Sequence, residues 1–319
     1  MSTLSIPAIL PSPEEDCQRL RKAFQGFGAN GKTIIEVLGH RDARNRAEIT
    51  RCYFKLYNES LIERLQSELS GDFQRAVILW IEHPSIRDAK LAHKALQRKG
   101  DRDIWVVLEI ACSSSSEHLI EVRQTYCSLF NSSLEEDIEF QFARQGQLKQ
   151  FLLSLVGSYR YEGDEVDEQL VKSEANSLFC GIREQQQPYN EVIRVLSLRS
   201  KAHLRATFQY YKQEYGISIG EDIECNISDD NKLTSTIRAT IRCLQSPEKH
   251  FAEVVRSSIL GLGTDEESLT RAIVTRAEID MKLIKEEYKN RYNKALHDDV
   301  VGDTSGYYRD FQLTLIGGN

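Results

Sequence analysis

One pattern, repeated four times, restricts this 319-residue chain more than any other feature. An aromatic residue is followed at i+4 by a second aromatic and at i+8 and i+12 by aliphatics. The copies are Tyr53, Tyr57, Leu61, Leu65; Tyr126, Phe130, Leu134, Ile138; Tyr211, Tyr215, Ile219, Ile223; and Tyr288, Tyr292, Leu296, Val300. Residues at this spacing share one face of an α-helix, so each copy reads as one amphipathic helix. The same offsets relate Arg41, Ser114, Arg199 and Arg276, each at the end of an apolar helical run. Two independent features on one set of offsets, roughly 75 residues apart, indicate an array of helical units. With only 18 Gly and 6 Pro, the chain has too few breakers for a many-turned β fold.

The units run over 14–83, 84–157, 168–245 and 246–319, behind an N-terminal segment 1–13. Two runs in the first unit, Ile34–Leu38 and Ala76–Ile81, are apolar on most sides and read as buried. The stretch 158–167 is extra relative to the other joins, polar and glycine-containing, and reads as a linker between a half made of units 1–2 and a half made of units 3–4. No apolar run approaches the roughly 18 residues of a membrane span. The N-terminus lacks the basic start and apolar stretch of a secretory leader. Seven Cys without CxxC spacing read as reduced intracellular thiols. A net charge of −7 argues against nucleic acid and against direct attraction to anionic lipid, so an anionic partner needs a cation as intermediary.

Two loops supply the means to hold one. Gly26-Phe27-Gly28 in unit one and Gly261-Leu262-Gly263 in unit four each lie between two helical runs. Paired glycines allow positive φ and leave carbonyls unshielded, so alternate carbonyls can face one hard cation. Calcium takes about 6–8 oxygens, so a bidentate carboxylate is still needed. Glu68 and Asp303 each lie forty residues after the second glycine of their loop. Units two and three carry Gln141 and Asn226 at the matching positions and have no GxG. Loop and acid are present together or absent together, which fits a coordination site better than two unrelated turns.

Four units, a Gly-x-Gly-Thr-Asp loop with an acid forty residues on, and the unit-end Arg resemble the annexin family over nearly the whole chain. Leu20-Arg21-Lys22-Ala23-Phe24, Ser158-Tyr159-Arg160-Tyr161-Glu162-Gly163 and the degenerate middle units are similar to plant annexins in particular. The resemblance implies an all-α fold of four repeats with five helices each, wound as a right-handed superhelix into a curved disc. It implies calcium loops on the convex face that bind acidic phospholipid. The implied ligands are the carbonyls of Phe24, Gly26 and Gly28 with Glu68, and of Ile259, Gly261 and Gly263 with Asp303. Phe27 and Leu262, between the paired glycines, are the implied membrane contacts. A cytoplasmic protein that meets the membrane peripherally when calcium rises follows. Actin and nucleotide are further partners that the resemblance brings in, and nucleotide hydrolysis, peroxidase activity or ion conduction on the same scaffold are the alternative functions. Unit two departs with Arg98-Lys99-Gly100-Asp101 and Ser114, and unit three with Gly181-Ile182-Arg183, so neither is assigned a site.

Unit four is expected to hold the better site. Thr264 is placed to cap the next helix, with Glu267 completing a capping box. In unit one Ala29 cannot cap, Asn30 takes over one residue later, and Lys32 replaces an acid. Other signals are weaker. Residues 26–33, GFGANGKT, match GxxxxGK[ST], but a phosphate loop needs a preceding strand and residues 16–24 have helical spacing. His40, where the resemblance suggests peroxidase chemistry, has no second axial ligand and reads as a helix-end cation. Cys112 and Cys243, at places resembling paired sulfurs of plant annexins, read as buried small hydrophobes, and Trp80 and Trp105 as core.

Overall fold

The computed structural model of the chain describes residues 1–26, 28–98, 103–183, 189–226, 232–261 and 263–318. Among them are twenty α-helices and no strand, five helices to each repeat. Repeat 1 holds α1 (Pro13–Ala23), α2 (Gly31–Leu38), α3 (Ala43–Tyr57), α4 (Leu61–Glu68) and α5 (Gly71–Ile81). Repeat 2 holds α6 (Pro84–Gln97), α7 (Asp103–Ser113), α8 (Ser116–Phe130), α9 (Leu134–Gln141) and α10 (Gly146–Val156). Repeat 3 holds α11 (Glu168–Arg183), α12 (Asn190–Leu198), α13 (Lys201–Tyr215), α14 (Ile219–Asn226) and α15 (Lys232–Gln245). Repeat 4 holds α16 (Pro247–Ile259), α17 (Glu266–Arg276), α18 (Met281–Tyr292), α19 (Leu296–Asp303) and α20 (Gly306–Ile316). No described helix is long and apolar enough to cross a membrane.

The fourfold aromatic pattern lies on two helices per repeat, not on one. In repeat 1, Tyr53 and Tyr57 end α3, while Leu61 and Leu65 belong to α4. Between them Asn58 turns left-handed at φ 50°, and Ser60 caps α4 by accepting from the Glu63 N–H. The third helix of the other repeats ends the same way, at Asn131, Gly216 and Asn293, all with positive φ. Asn and Gly tolerate this conformation best, so each repeat breaks its helix at one register. The i+4 spacing continues across the break because both helices turn the same kind of face inward. Tyr53, Tyr126, Tyr211 and Tyr288 are fully buried, as are Leu65, Ile138, Ile223 and Val300. Burying each such aliphatic removes apolar surface worth roughly 1.5–3 kcal/mol from water.

The repeats pair in an order that differs from the one expected. Residues Met1–Arg87 and Glu248–Asn319 form one compact unit, and Asp88–Pro247 forms the other. Repeat 1 therefore packs with repeat 4, and repeat 2 with repeat 3. In the first unit α5 lies against α17 and α20, and α2 against α20. Trp80 of α5 is wholly buried there, with its indole N–H on the Leu38 carbonyl at 2.8 Å and the Arg46 guanidinium over its ring at 3.6 Å. In the second unit α7 lies against α15. Cys112 and Cys243 are free, fully buried members of that core, and burial pushes the Cys112 thiol up to about 11. Trp105 packs on the same core, partly buried.

The stretch 158–167 lies inside the second unit and does not separate the two halves. Arg160 is buried and spans the end of α12, donating to the Leu196 and Arg199 carbonyls, each at 2.6 Å. Its backbone N–H donates to Ser116 Oγ at 3.0 Å, and the Glu162 carboxylate accepts from the Ser116 N–H. Polar composition suggested a linker, but here the polar groups satisfy helix ends, which leave backbone donors and acceptors unpaired.

Candidate metal centres in repeats 1 and 4

Both glycine loops sit in the first unit and close with the same bond. The Asn30 N–H donates to the Ala23 carbonyl at 2.8 Å, and the Asp265 N–H donates to the Ser258 carbonyl at 2.7 Å. Asn30 and Asp265 then cap α2 and α17, their side chains accepting from the N–H of Thr33 and Ser268. The N-cap of α17 is thus Asp265, not Thr264, and no register difference separates the two loops. Gly26 and Gly28 have φ of +116° and +88°, and Gly261 and Gly263 have +126° and +93°. Nothing lies within 4 Å of where a Cβ would stand at any of the four. The glycines are there for backbone conformation, not for space, and they leave the carbonyls uncovered. Phe27 and Leu262 lie outside the described residues. Leu260, just before Gly261, is 58% exposed, an apolar tip that the pattern of paired glycines did not single out.

Thr264 has another role. Its hydroxyl bonds to the side chain of Asp303 at 2.6 Å and to the Asp303 carbonyl at 3.0 Å. The acid forty residues on is therefore held against the loop that it was expected to complete. In repeat 1 the matching residue is Ala29, which has no donor. There Glu68 accepts from Arg64 at 2.9 Å, and Arg64 also lies over the ring of Phe24, 5.9 Å from its centroid. Phe24 ends α1 with its ring buried and its carbonyl at the start of the loop. Ile259 holds the corresponding place at the end of α16. The i, i+4 spacing of Arg64 and Glu68 was readable as an ion pair. That Thr264 would serve Asp303 was not readable, because Thr beside a helix start is ordinarily a cap.

Among the described residues no group of three or more His, Cys, Asp or Glu side chains could hold a metal. A cation at these loops would rest on main-chain carbonyls with one carboxylate, a hard all-oxygen set that suits calcium rather than zinc. The residues present fit that ion: open carbonyl loops, and an acid tied to the loop in repeat 4. By sequence, repeats 2 and 3 have neither the paired glycines nor the acid. Gln141 sends its amide N–H to the Arg98 carbonyl at 3.4 Å, so a hydrogen-bond donor faces that carbonyl. Asn226 donates to the carbonyl and carboxylate of Asp222. Gly181 lies within α11.

The remaining signals resolve locally. The helix α1, not a strand, precedes GFGANGKT, and Gly31 to Thr33 form the first turn of α2. His40 Nδ1 lies 2.8 Å from the Ser5 carbonyl. Arg41, with its side chain buried, makes a bidentate pair with Asp16 at 2.7 and 2.8 Å, so it serves α1 more than its own helix end. Arg199 serves Glu174 likewise. Ser114, the matching residue of repeat 2, is half-buried, and its carbonyl accepts from Lys201 at 2.8 Å.

A helical array of four five-helix repeats, the first and last carrying a loop with two glycines of positive φ, defines a class of all-α repeat proteins. The annexin family model matches four times, over residues 15–80, 87–155, 175–233 and 250–315. The chain belongs to the annexin family. It is 43% identical to Annexin D3 of Arabidopsis thaliana over 321 residues, covering 99% of both chains. Among solved structures it matches annexin III with a TM-score of 0.93 at 28% identity, covering 100% of this chain and 97% of that one. It matches calcium-bound annexin (Sm)1 with a TM-score of 0.86 at 27% identity, over 100% and 93%.

Proposed function

We propose that this annexin binds anionic phospholipid membranes peripherally and in a calcium-dependent way, through the loops of repeats 1 and 4. The observation that carries the reading is the Thr264 hydroxyl holding the Asp303 side chain at 2.6 Å, directly beside two glycines of positive φ. The ligands are the carbonyls of Phe24, Gly26 and Gly28 with Glu68, and of Ile259, Gly261 and Gly263 with Asp303. Three carbonyls and two carboxylate oxygens make about five, short of the usual 6–8. Lipid phosphate and water complete the shell, so membrane and ion strengthen one another's binding. One carboxylate per divalent ion leaves the site positive, which lets a chain of net charge −7 dock on an anionic bilayer. Phe27 and Leu262 enter the interfacial layer and add affinity through apolar area removed from water. In the cell this places the protein in the cytoplasm until calcium rises.

Sedimentation with phosphatidylserine-containing vesicles, in chelator and in millimolar calcium, tests the reading. Glu68→Gln combined with Asp303→Asn should abolish the calcium-dependent fraction and leave the helical spectrum intact. Equal sedimentation with and without calcium would reject it. A Trp placed at position 27 or 262 should shift its fluorescence to the blue on adding vesicles with calcium, and no shift at either position would reject insertion.

A further inference from the structure

The cation that meets Glu68 in the structure belongs to the protein. Arg64 lies one turn before Glu68 on α4 and donates to its carboxylate at 2.9 Å. The same guanidinium is 3.6 Å from Glu59 and lies over Phe24, where the loop begins. Its side chain is 30% exposed and that of Glu68 22%, so the pair is only partly screened by water. The other repeats carry the opposite charge at this register. Eleven residues after the buried tyrosine stand Asp137, Asp222 and Asp299, each accepting from that tyrosine's hydroxyl. Repeat 1 has Arg64 there, and its acid has moved to Glu59, which pairs with Arg21 as Arg21 reaches Tyr53. The reversal sets a fixed positive charge beside the one carboxylate of the loop. Asp303 differs: its partner Thr264 is neutral, and a hydroxyl orients a carboxylate without repelling a cation.

We propose that Arg64 is an internal counter-ion that calcium must displace from Glu68, which makes the repeat 1 loop the high-threshold site of the molecule. The inference rests on the reading of Glu68 as the bidentate ligand of that loop. While Glu68 accepts from Arg64, its two oxygens cannot both turn to an ion, and the guanidinium repels the incoming charge. Calcium therefore fills repeat 4 first. Repeat 1 follows at higher calcium, or where lipid phosphate offers the released guanidinium another partner.

The test uses the full chain with Asp303→Asn, so that only repeat 1 can respond. Arg64→Met keeps the stem over Phe24 and removes the charge, Arg64→Gln is a second neutral form, and Arg64→Lys keeps the charge. The readouts are calcium calorimetry without lipid and sedimentation on phosphatidylserine-containing vesicles, with the helical spectrum as the check on folding. Both neutral variants should lower the calcium half-point about three- to fivefold, the range of one partly exposed ion pair, and Lys should leave it unchanged. An unchanged or higher half-point in both neutral variants overturns the proposal. Adding Glu68→Gln separates it from the reading beneath it. If the response survives without Glu68, both fall; if it needs Glu68 but ignores the neutral variants, only the counter-ion falls. No response with or without Arg64 also overturns both.

Discussion

In repeat 1 the loop after α1 closes through Asn30 on Ala23, and in repeat 4 the loop after α16 closes through Asp265 on Ser258. Both have two glycines of positive φ and a following helix capped at the same place. Behind this shared backbone, the side chains differ. A charged Arg64 holds Glu68, whereas a neutral Thr264 holds Asp303. The buried bases of the two repeats differ as well. Arg41 grips Asp16 of the first helix, with both side chains almost wholly buried. Arg276 finds Phe251 on α16, stacks over it at 4.7 Å, and pairs instead with Asp280, the residue just before α18. On the proposed function, the shared backbone closure offers both loops to a cation, and the partner of the acid sets how readily each would be used.

The comparison can be broken first at its base. Arg41→Ala should destabilise the protein by about 3–5 kcal/mol, because it leaves the Asp16 carboxylate buried without its partner. Arg276→Ala should cost less, about 1–3 kcal/mol, since Asp280 keeps some exposure to water. Denaturant midpoints would check the order, and equal losses would show that the two bases are equivalent. At the loops, Asp303→Asn should raise the calcium half-point for vesicle sedimentation about tenfold, roughly 1.4 kcal/mol, and Glu68→Gln only a few-fold. A larger shift from Glu68→Gln would reverse the ranking of the two sites. Thr264→Ala makes repeat 4 resemble repeat 1 at Ala29. It should raise the half-point about fivefold, as expected for one net hydrogen bond of about 1 kcal/mol, and Thr264→Ser should restore it. Smallest of all is Gln141→Glu, which returns an acid to repeat 2. Calorimetry should detect no added calcium binding, because Arg98-Lys99-Gly100-Asp101 offers no pair of glycines.

Much of this was legible in the residues. The period of the tyrosine stripe, the Gly-x-Gly pairs and the acids forty residues on are local or regularly spaced; the glycines take positive φ, and Asp303 lies against Thr264 of its loop. Other features were misread because each depends on a neighbour distant in sequence. The stripe looked like one helix, since two helices facing one core preserve the i+4 rhythm across Asn58. The stretch 158–167 looked like a linker, since its polar groups reveal nothing of the helix ends that they satisfy.

The sequence by itself determined how many repeats there are and that they are helical, and it marked the paired glycines and distant acids on which the proposed cation sites rest. Side-chain periodicity and backbone freedom at glycine are properties of short segments, so they can be read without the fold. Only the tertiary structure decided that repeat 1 pairs with repeat 4, that Thr264 serves Asp303 instead of a helix end, and that Arg64 lies between Phe24 and Glu68. A hydroxyl or guanidinium has several acceptors within reach at nearly equal net energy, about 1 kcal/mol apiece, and packing brings one of them close enough to be chosen.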